Sequence, residues 1–349
     1  MTAVVPKVTV TLEEGTGSPG TGEAGKIAVI GAFKTTETQP QLFTSLAAAK
    51  REFGTDSTFD GCVCMPQLFM SGATSVLAVN VSTQSEDVWT KTLDSAKLTA
   101  ALAKIKGEDW DLLFVCAPLS DALIAIVDAY LDATYEMKYP AGYVGALTGA
   151  TDAANIATAE LAGTHCYGLV TQQGRVSGDT MSVLKFAAYY AGLIAGMSVG
   201  DTMTMKTVPY LTKVIPELSF DTGGAGKALL EAGITTFKCV DRNTGRCVVV
   251  NSEQPNGLDL YVNRVRDYVV KELSLHEFLG ERNSETTLNE IKHEVDRVKA
   301  ECVSTLNLLK DIEFNVEKID ARTVQINISK LIFDGIITEI DVYVTVEVQ

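Results

Sequence analysis

The chain has 349 residues, of which 46% are hydrophobic and 21% are charged, a composition that indicates a folded globular protein and excludes a disordered one. Its formal net charge is −15, so it lacks the excess of Lys and Arg that binding to nucleic acid or to an anionic membrane surface requires. We therefore expect no nucleic-acid partner and no membrane insertion; a partner with a basic surface fits this charge better.

The N-terminal residues show no charged leader followed by an apolar core, so the sequence predicts no secretory signal. The most apolar run, Phe186–Val199, is about fourteen residues long, which predicts a buried helix because a bilayer span needs more. The seven cysteines are predicted to be reduced thiols of a cytoplasmic protein. Cys62 and Cys64 have no His or second Cys pair at ligand spacing, so we expect them to be core residues and expect no metal or cofactor.

Residues 1–25 are predicted to form an N-terminal arm. Val8, Val10 and Leu12 alternate with polar residues, which is the pattern of a short amphipathic strand. The segment that follows, residues 13–25, has no apolar anchor and is predicted to be a flexible or extended linker. Its glycines are Gly15, Gly17, Gly20 and Gly22.

Residues 26–251 alternate between strand and helix patterns, which predicts an α/β domain with a mixed, largely parallel sheet and right-handed crossovers. The predicted strands are Ile27–Phe33, Ser75–Val81, Leu112–Cys116, Ala141–Ala146 and Cys166–Val170. The predicted helices are Phe43–Phe53, Ser95–Ile105, Asp121–Ala133, Ala153–Leu161, Met181–Ala195 and Ala225–Glu231. Thr235–Val240 and Arg246–Val250 are predicted to pair as a hairpin, and Met203–Pro216 to be extended.

Residues 252–335 are predicted to form an α+β C-terminal domain with a two-helix hairpin followed by β-strands. The first helix has an apolar face that runs from Leu258 to Leu273, and it is expected to end at Gly280. The second has an apolar stripe from Leu288 to Leu309, with Thr287 and Glu290 placed as a capping box. On its polar side we expect the opposite-charge pairs Asp296–Lys299 and Arg297–Glu301.

Residues 336–349 are predicted to be a C-terminal strand arm with one apolar face. The residues of that face are Ile340, Val342, Val344, Val346 and Val348. If this arm folds back on the strand Arg322–Phe333, a two-residue turn at Asp334 would mix apolar with polar faces, whereas a three-residue loop places Ile328 opposite Val342. The sequence leaves open whether the arm pairs in this way or with another molecule.

No motif of catalytic chemistry emerges from the sequence. The segment Asp221–Ala228 (DTGGAGKA) departs from a phosphate loop, because Asp221 stands where the first Gly is required and Ala228 where the Ser or Thr is required. His165, His276 and His293 are not flanked by a nucleophile motif such as G-x-S-x-G. We therefore expect that the chain is not an enzyme.

The order of several segments resembles that of contractile tail sheath proteins, the family of myophage tails, R-type bacteriocins and related contractile injection systems. The matching stretches are GKIAVIGAFKTT (25–36), SLAAAKREFG (45–54), QLFMSGATSVLAVNV (67–81), KFAAYYAGLIAGMSVGDTMTMKTVP (185–209), LLEAGITTF (229–237) and the run from Val262 to Val295. Each stretch alone is only a pattern of apolar and small residues, so their order and spacing carry the resemblance.

The resemblance implies a structural subunit that polymerises around an inner tail tube, with its C-terminal domain near the tube. It also implies association with a baseplate and a tail terminator, in a virion tail or injection particle assembled in the host cytoplasm. In that family both arms add strands to sheets of neighbouring subunits. The family's middle domain is called subtilisin-like, but no protease motif is present here.

The strand patterns of the two arms independently favour strand addition between subunits. Exposed amphipathic strands promote aggregation unless a strand or sheet of a partner molecule pairs with them. Two alternatives stay open: an α/β enzyme with a helical oligomerisation domain, and a non-contractile tube or shell subunit.

Overall fold

A computed structural model describes residues 10–12, 26–136, 140–241, 245–273, 275–320 and 322–333. The strands are β1 Val10–Leu12, β2 Ile27–Gly31, β3 Gln41–Phe43, β4 Val76–Asn80, β5 Thr83–Ser85, β6 Val88–Thr90, β7 Leu112–Pro118, β8 Gly142–Ala146, β9 Cys166–Val170, β10 Gln173–Val176, β11 Asp179–Met181, β12 Leu211–Ile215, β13 Thr236–Asp241, β14 Arg246–Asn251, β15 Asp311–Lys318 and β16 Val324–Ile332. The helices are α1 Leu46–Phe53, α2 Asp60–Ser71, α3 Ser95–Lys104, α4 Asp121–Glu136, α5 Asp152–Ala159, α6 Val183–Gly196, α7 Ala225–Glu231, α8 Leu260–Glu272 and α9 Glu285–Ala300.

A six-stranded sheet in the order β3-β4-β2-β7-β8-β9 forms the centre of the α/β part. Its pairings are parallel except at the edge, where β3 runs antiparallel to β4. Every residue of β2, β4, β8 and β9 is buried, because these strands are apolar on both faces and helices cover the sheet. The predicted strands and the predicted largely parallel sheet are confirmed.

Helix α6 lies in the middle of this core and packs closely against α2. A Cβ atom at Gly192 would lie 2.0 Å from the Ser71 hydroxyl oxygen, and one at Gly196 would lie 2.7 Å from the carbonyl oxygen of Gly72. The run 186–199 is thus largely a buried helix, as its length predicts. Within the described residues, no helix is both long enough and apolar enough to cross a bilayer.

A smaller β region follows the large sheet. It consists of the sheet β11-β10-β12 and the hairpin β13–β14, which confirms the predicted hairpin. Cys239 and Cys247 lie opposite each other in that hairpin and form a disulfide. The prediction that all cysteines are reduced is therefore wrong for this pair, which the antiparallel register brings together across the two strands. Cys62, Cys64, Cys116, Cys166 and Cys302 are free and buried.

The last part of the chain has its own hydrophobic cluster, formed by α8, α9, β15 and β16. Helix α8 ends at Glu272, not at Gly280 as predicted, and Leu275 just beyond it has a left-handed backbone (φ 41°). The predicted capping box is also wrong, since α9 begins earlier and Ser284 Oγ accepts from the Thr287 amide at 3.2 Å.

Two further predictions about α9 have different outcomes. The Arg297–Glu301 pair is confirmed, with 2.8 Å between Arg297 Nη1 and Glu301 Oε2. The other predicted pair of α9 is replaced, because Lys299 Nζ lies 2.7 Å from Asp311 Oδ1 at the start of β15. Strand β15 was not expected from the sequence, and its position beside α9 gives this lysine a closer partner than the exposed Asp296.

Candidate assembly site

Strand β16 is the central strand of a three-stranded sheet in the order β1-β16-β15. It pairs antiparallel with β15, where Phe314 lies opposite Ile328, and parallel with β1, where Leu12 lies opposite the same residue. Ile326 and Ile328 are buried, so alternate residues of β16 face the hydrophobic cluster. Both edges of β16 are therefore occupied.

The structure places two of the predicted strand-addition residues in this sheet. Val10 pairs with Ile326 and Leu12 pairs with Ile328, in parallel register. The remaining predicted residues lie outside the described part of the chain: Val8, the linker glycines Gly15, Gly17, Gly20 and Gly22, and the C-terminal Ile340, Val342, Val344, Val346 and Val348.

Helix α8 connects this sheet region to the α/β part through a buried polar stripe that the sequence analysis missed. Val265 and Val269 face the second hydrophobic cluster. Arg264, Asp267 and Lys271, spaced three and four residues apart, lie on another face and contact the α/β part. The helix is thus buried on two sides, one apolar and one charged.

The first half of the stripe consists of groups that are almost fully buried. Arg264 donates from Nη1 to the Ser198 carbonyl at 2.9 Å and from Nη2 to the Met197 carbonyl at 3.0 Å, which satisfies the carboxyl end of α6. Asp267 accepts from the Tyr167 hydroxyl at 2.7 Å and from Arg266 Nε at 2.9 Å. Burial raises the pKa of Tyr167, so this hydroxyl keeps its proton and acts as a donor.

The second half of the stripe is a more exposed ion-pair network. Lys271 Nζ lies 2.7 Å from Asp111 Oδ1 and 3.4 Å from Asp109 Oδ1. Lys26 also bonds Asp109, and this hydrogen bond lowers the pKa of the Asp109 carboxyl. Burial opposes the charge of Lys271, but Asp111 and Asp109 together more than offset it, so the pKa of Lys271 is raised. The network joins α8 to residues at the N-terminal edge of the large sheet.

The N-terminus of α8 is fixed by a cluster of hydroxyl groups around Asp259. Its carboxylate caps the helix by accepting from the Tyr261 amide at 3.0 Å, and it also accepts from Ser252 Oγ at 2.7 Å and Thr204 Oγ1 at 3.0 Å. Ser252 and Thr204 are buried, so the cap ties the helix to both preceding segments.

No family sequence model and no curated protein sequence matches the chain. Solved structures do match its fold. The sheath tail protein from Desulfitobacterium hafniense is 12% identical, with a TM-score of 0.66 over 90% of this chain and 98% of that one. The anti-feeding prophage helical sheath in its contracted state is 13% identical, with a TM-score of 0.65 over 99% of both chains. The sheath complex of an extracellular contractile injection system, PVC, is also 13% identical, with a TM-score of 0.64 over 99% of both chains.

The chain has the fold of a contractile tail sheath protein. The expected resemblance is confirmed, and the sheath proteins match the chain from the α/β part through the C-terminal sheet, since they cover nearly all of it. The neighbours are structural sheath proteins, and one belongs to an anti-feeding prophage baseplate in the contracted state.

In this sheath fold, the place where an α/β enzyme would bind a ligand is filled. Ligands of open α/β sheets bind beyond the carboxyl ends of adjacent strands whose connections run in opposite directions, which here are β2 and β7. A Cβ atom at Gly31 would lie 2.6 Å from the Cβ of Cys116, and one at Gly61 would lie 2.5 Å from the Phe33 ring. Side chains and the start of α2 therefore occupy this crevice.

The other candidate chemical groups are dispersed. Lys227 of the phosphate-loop-like segment lies 3.7 Å from Glu231 in its own short helix. His165 is buried, with Nε2 3.2 Å from Asp132 Oδ1, and burial lowers its pKa. His293 is exposed on α9. The described residues contain no group of three or more His, Cys, Asp or Glu side chains that could hold a metal ion.

Proposed function

We propose that this chain is a sheath subunit that polymerises helically around a tail tube and contracts to drive that tube through a target envelope. The observation that carries the proposal is the match to the anti-feeding prophage sheath, which spans 99% of both chains. A match of this extent leaves little of the chain for an unrelated enzymatic domain. We accordingly propose that the subunit has no catalytic activity, and the filled crevice between β2 and β7 supports this.

The subunits are linked by strand addition. Strand β1 has three residues and is separated from the α/β part by residues 13–25, so it can pair with β16 of its own copy or with β16 of an adjacent one. Exchange of an identical strand between copies keeps the same hydrogen bonds and the same register, and it costs little free energy. Val8, Val10 and Leu12 supply the N-terminal strand, and Ile340, Val342, Val344, Val346 and Val348 supply the C-terminal one.

The glycines Gly15, Gly17, Gly20 and Gly22 let the arm stay paired while the subunit bodies rotate. Residues 26–251 form the α/β domain and residues 252–335 the C-terminal domain in this proposal. The α8 stripe fixes the two domains to each other, so the movement of one is transmitted to the other.

Contraction needs no nucleotide, because an extended lattice trapped behind a kinetic barrier releases free energy when it converts to a more stable packing. The inner tube, the baseplate and a tail terminator are the partners, in a virion tail or injection particle assembled in the host cytoplasm.

Electron microscopy of the purified chain tests the proposal. The full chain is expected to form helical sheaths of contracted diameter. Chains that lack residues 1–12 or 340–349 are expected to be folded monomers that form none, which circular dichroism and sedimentation would establish. A matched pair of substitutions tests the register of the strand pairing without shortening the arm. Leu12→Lys changes a residue opposite buried Ile328, whereas Thr11→Lys changes one opposite Asn327.

We expect Leu12→Lys to abolish sheaths and Thr11→Lys to leave them intact. Sheaths of normal length from either deletion would contradict strand addition. Tubes of one fixed diameter with no contracted form would favour a non-contractile subunit instead.

A further inference from the structure

The small β region has a charge balance unlike that of the rest of the chain. Residues 171–251 carry eight Lys and Arg against six Asp and Glu, whereas the whole chain carries 29 against 44. Six of these cations are exposed. Lys227 pairs with Glu231, and the other five form no ion pair with a described carboxylate. These five are Arg175, Lys206, Lys213, Lys238 and Arg246, which we call the basic face.

The two central cations of the basic face oppose each other directly. Arg175 on β10 pairs in register with Lys213 on β12, and both side chains are exposed. Like charges at opposed positions of an antiparallel pair destabilise it. An anionic partner placed over this pair would remove the repulsion, so the arrangement favours binding of an acidic surface.

Contacts between neighbouring segments hold the basic face together. A Cβ atom at Gly245, next to Arg246, would lie 3.4 Å from Thr212, next to Lys213. Arg246 Nε donates to Thr207 Oγ1 at 3.0 Å, which places it beside Lys206. These contacts place Arg246 beside Lys206 and bring the β13–β14 turn against β12, the strand that carries Lys213.

Exposed apolar side chains lie on the same region. Tyr210 is 68% exposed and Met205 is 53% exposed. The Tyr210 carbonyl accepts from the Ser177 amide at 3.1 Å, so the Tyr210 backbone lies beside the turn that follows Arg175. Tyr, Met and Arg are enriched at protein interfaces, so their exposure together favours a docking surface here.

The complementary surface is the tip of the hairpin β5–β6. Glu86 and Asp87 form its two-residue turn, both are exposed, and neither side chain has a hydrogen bond or ion pair within the described residues. Val88 beside them is 70% exposed. Trp89 anchors the hairpin, since its ring packs edge-on against buried Phe59 at 5.4 Å. Glu86, Asp87 and Val88 together form an acidic tip on a fixed support.

The acidic tip and the basic face follow strands that lie toward opposite edges of the large sheet. The hairpin β5–β6 follows β4, which lies next to one edge of the sheet, and β10 follows β9, which forms the other edge. A contact between these two surfaces therefore joins different copies head to tail, and repeated head-to-tail contacts generate open helical assemblies.

We propose that the acidic tip of one copy docks on the basic face of an adjacent copy. This inference rests on the proposed function, because it assigns a contact within the helical sheath. The paired charges set which copies associate and in which register, since opposite potentials favour the matching surfaces and oppose the others.

Charge reversal tests the pairing. Asp87→Lys reverses the tip, and Lys213→Glu reverses the face while turning the repulsive pair with Arg175 into an attractive one, so this variant is expected to stay folded. Each single variant is expected to lower the fraction of chain that pellets as sheath by about tenfold. Every copy of the combined variant Asp87→Lys/Lys213→Glu carries both reversed surfaces, so assembly should recover. Lys97→Glu, at a half-buried cation near the start of α3 that has no carboxylate partner among the described residues, is the control for added negative charge.

The outcomes distinguish the contact from the function it rests on. If the unaltered chain forms no sheath under electron microscopy, the proposed function fails. If the unaltered chain forms sheaths and the single variants assemble as well as it does, the docking inference is overturned and the function stands. It is also overturned if the combined variant assembles no better than the single ones, or if Lys97→Glu is as harmful as Lys213→Glu.

Discussion

The hydroxyl of Tyr167 donates a hydrogen bond to Oδ2 of Asp267 across 2.7 Å, although the two residues are 100 positions apart. Each residue is 4% exposed, so neither group has water as an alternative partner. Asp267 has Arg266 as its second partner. The bond joins β9 of the large sheet to α8, which carries the sheet of the assembly site.

Tyr167→Phe is expected to lower the free energy of unfolding by about 1–3 kcal/mol, because a buried carboxylate loses one of its donors. Urea unfolding followed by circular dichroism measures the change. Tyr210→Phe is the control, since that side chain is 68% exposed. Equal stability of the two variants would show that the buried bond does not stabilise the connection between β9 and α8.

Asp259→Ala is expected to cost more stability than the same change at Asp94, another helix-capping aspartate. Asp94 is exposed and caps α3 through the Lys97 amide alone, so its loss should cost about 1 kcal/mol. Loss of Asp259 also removes the charged acceptor of the Ser252 and Thr204 hydroxyl groups, which adds about 1–2 kcal/mol. The urea unfolding midpoints of the two variants measure how much stability each one loses, and equal losses of stability would contradict the prediction.

Asp128 makes stability depend on pH. Burial raises the pKa of its carboxyl to about 6, although Oδ2 accepts from the Gly163 amide at 2.9 Å. The folded chain thus holds a proton that the unfolded chain releases, and stability from this group increases as the pH falls from about 7 to about 4. Asp128→Asn keeps an acceptor oxygen without the charge. It should therefore be more stable than the unaltered chain at pH 7, by about 1 kcal/mol after allowance for partial exposure.

The difference between Asp128→Asn and the unaltered chain should shrink toward zero at pH 4, and thermal unfolding at a series of pH values measures it. His165 acts in the opposite direction, because burial lowers its pKa and stability is lost as the pH falls below about 6.5. Comparing variant with unaltered chain at each pH cancels this contribution. A difference that does not change with pH would contradict the assignment. Asp152→Asn, on the exposed side of α5, is the control.

The sequence predicted the strands of the large sheet because they are continuous apolar runs between polar turns, as in Ile27–Gly31. It missed α2, which has no side-chain cap at Phe59 and contains Pro66. It also missed β15, because Leu309 continues the helical stripe of α9 by spacing, although the helix has already ended. Local patterns thus failed where a boundary lacks its usual signal.

The assembly site was predictable only in part. Alternation identified Val10 and Leu12 as strand residues, but their parallel pairing with β16 joins segments more than 300 residues apart and leaves no local pattern. The α8 stripe was missed for the same reason. Arg264 and Lys271 look like ordinary solvated charges on a helix until Ser198 and Asp111 are brought against them.

Gly192→Ala tests the close approach of α6 to α2. Helix propensity alone favours Ala over Gly by about 1 kcal/mol. The added methyl group, however, would lie 2.0 Å from Ser71 Oγ and 2.4 Å from the Leu68 carbonyl oxygen. We therefore expect a net loss of about 1–3 kcal/mol in urea unfolding, because the two helices must separate. Adding Ser71→Ala should not restore stability, since the Leu68 carbonyl is backbone and cannot move aside. A Gly192→Ala chain as stable as the unaltered one would show that the helices can separate without cost.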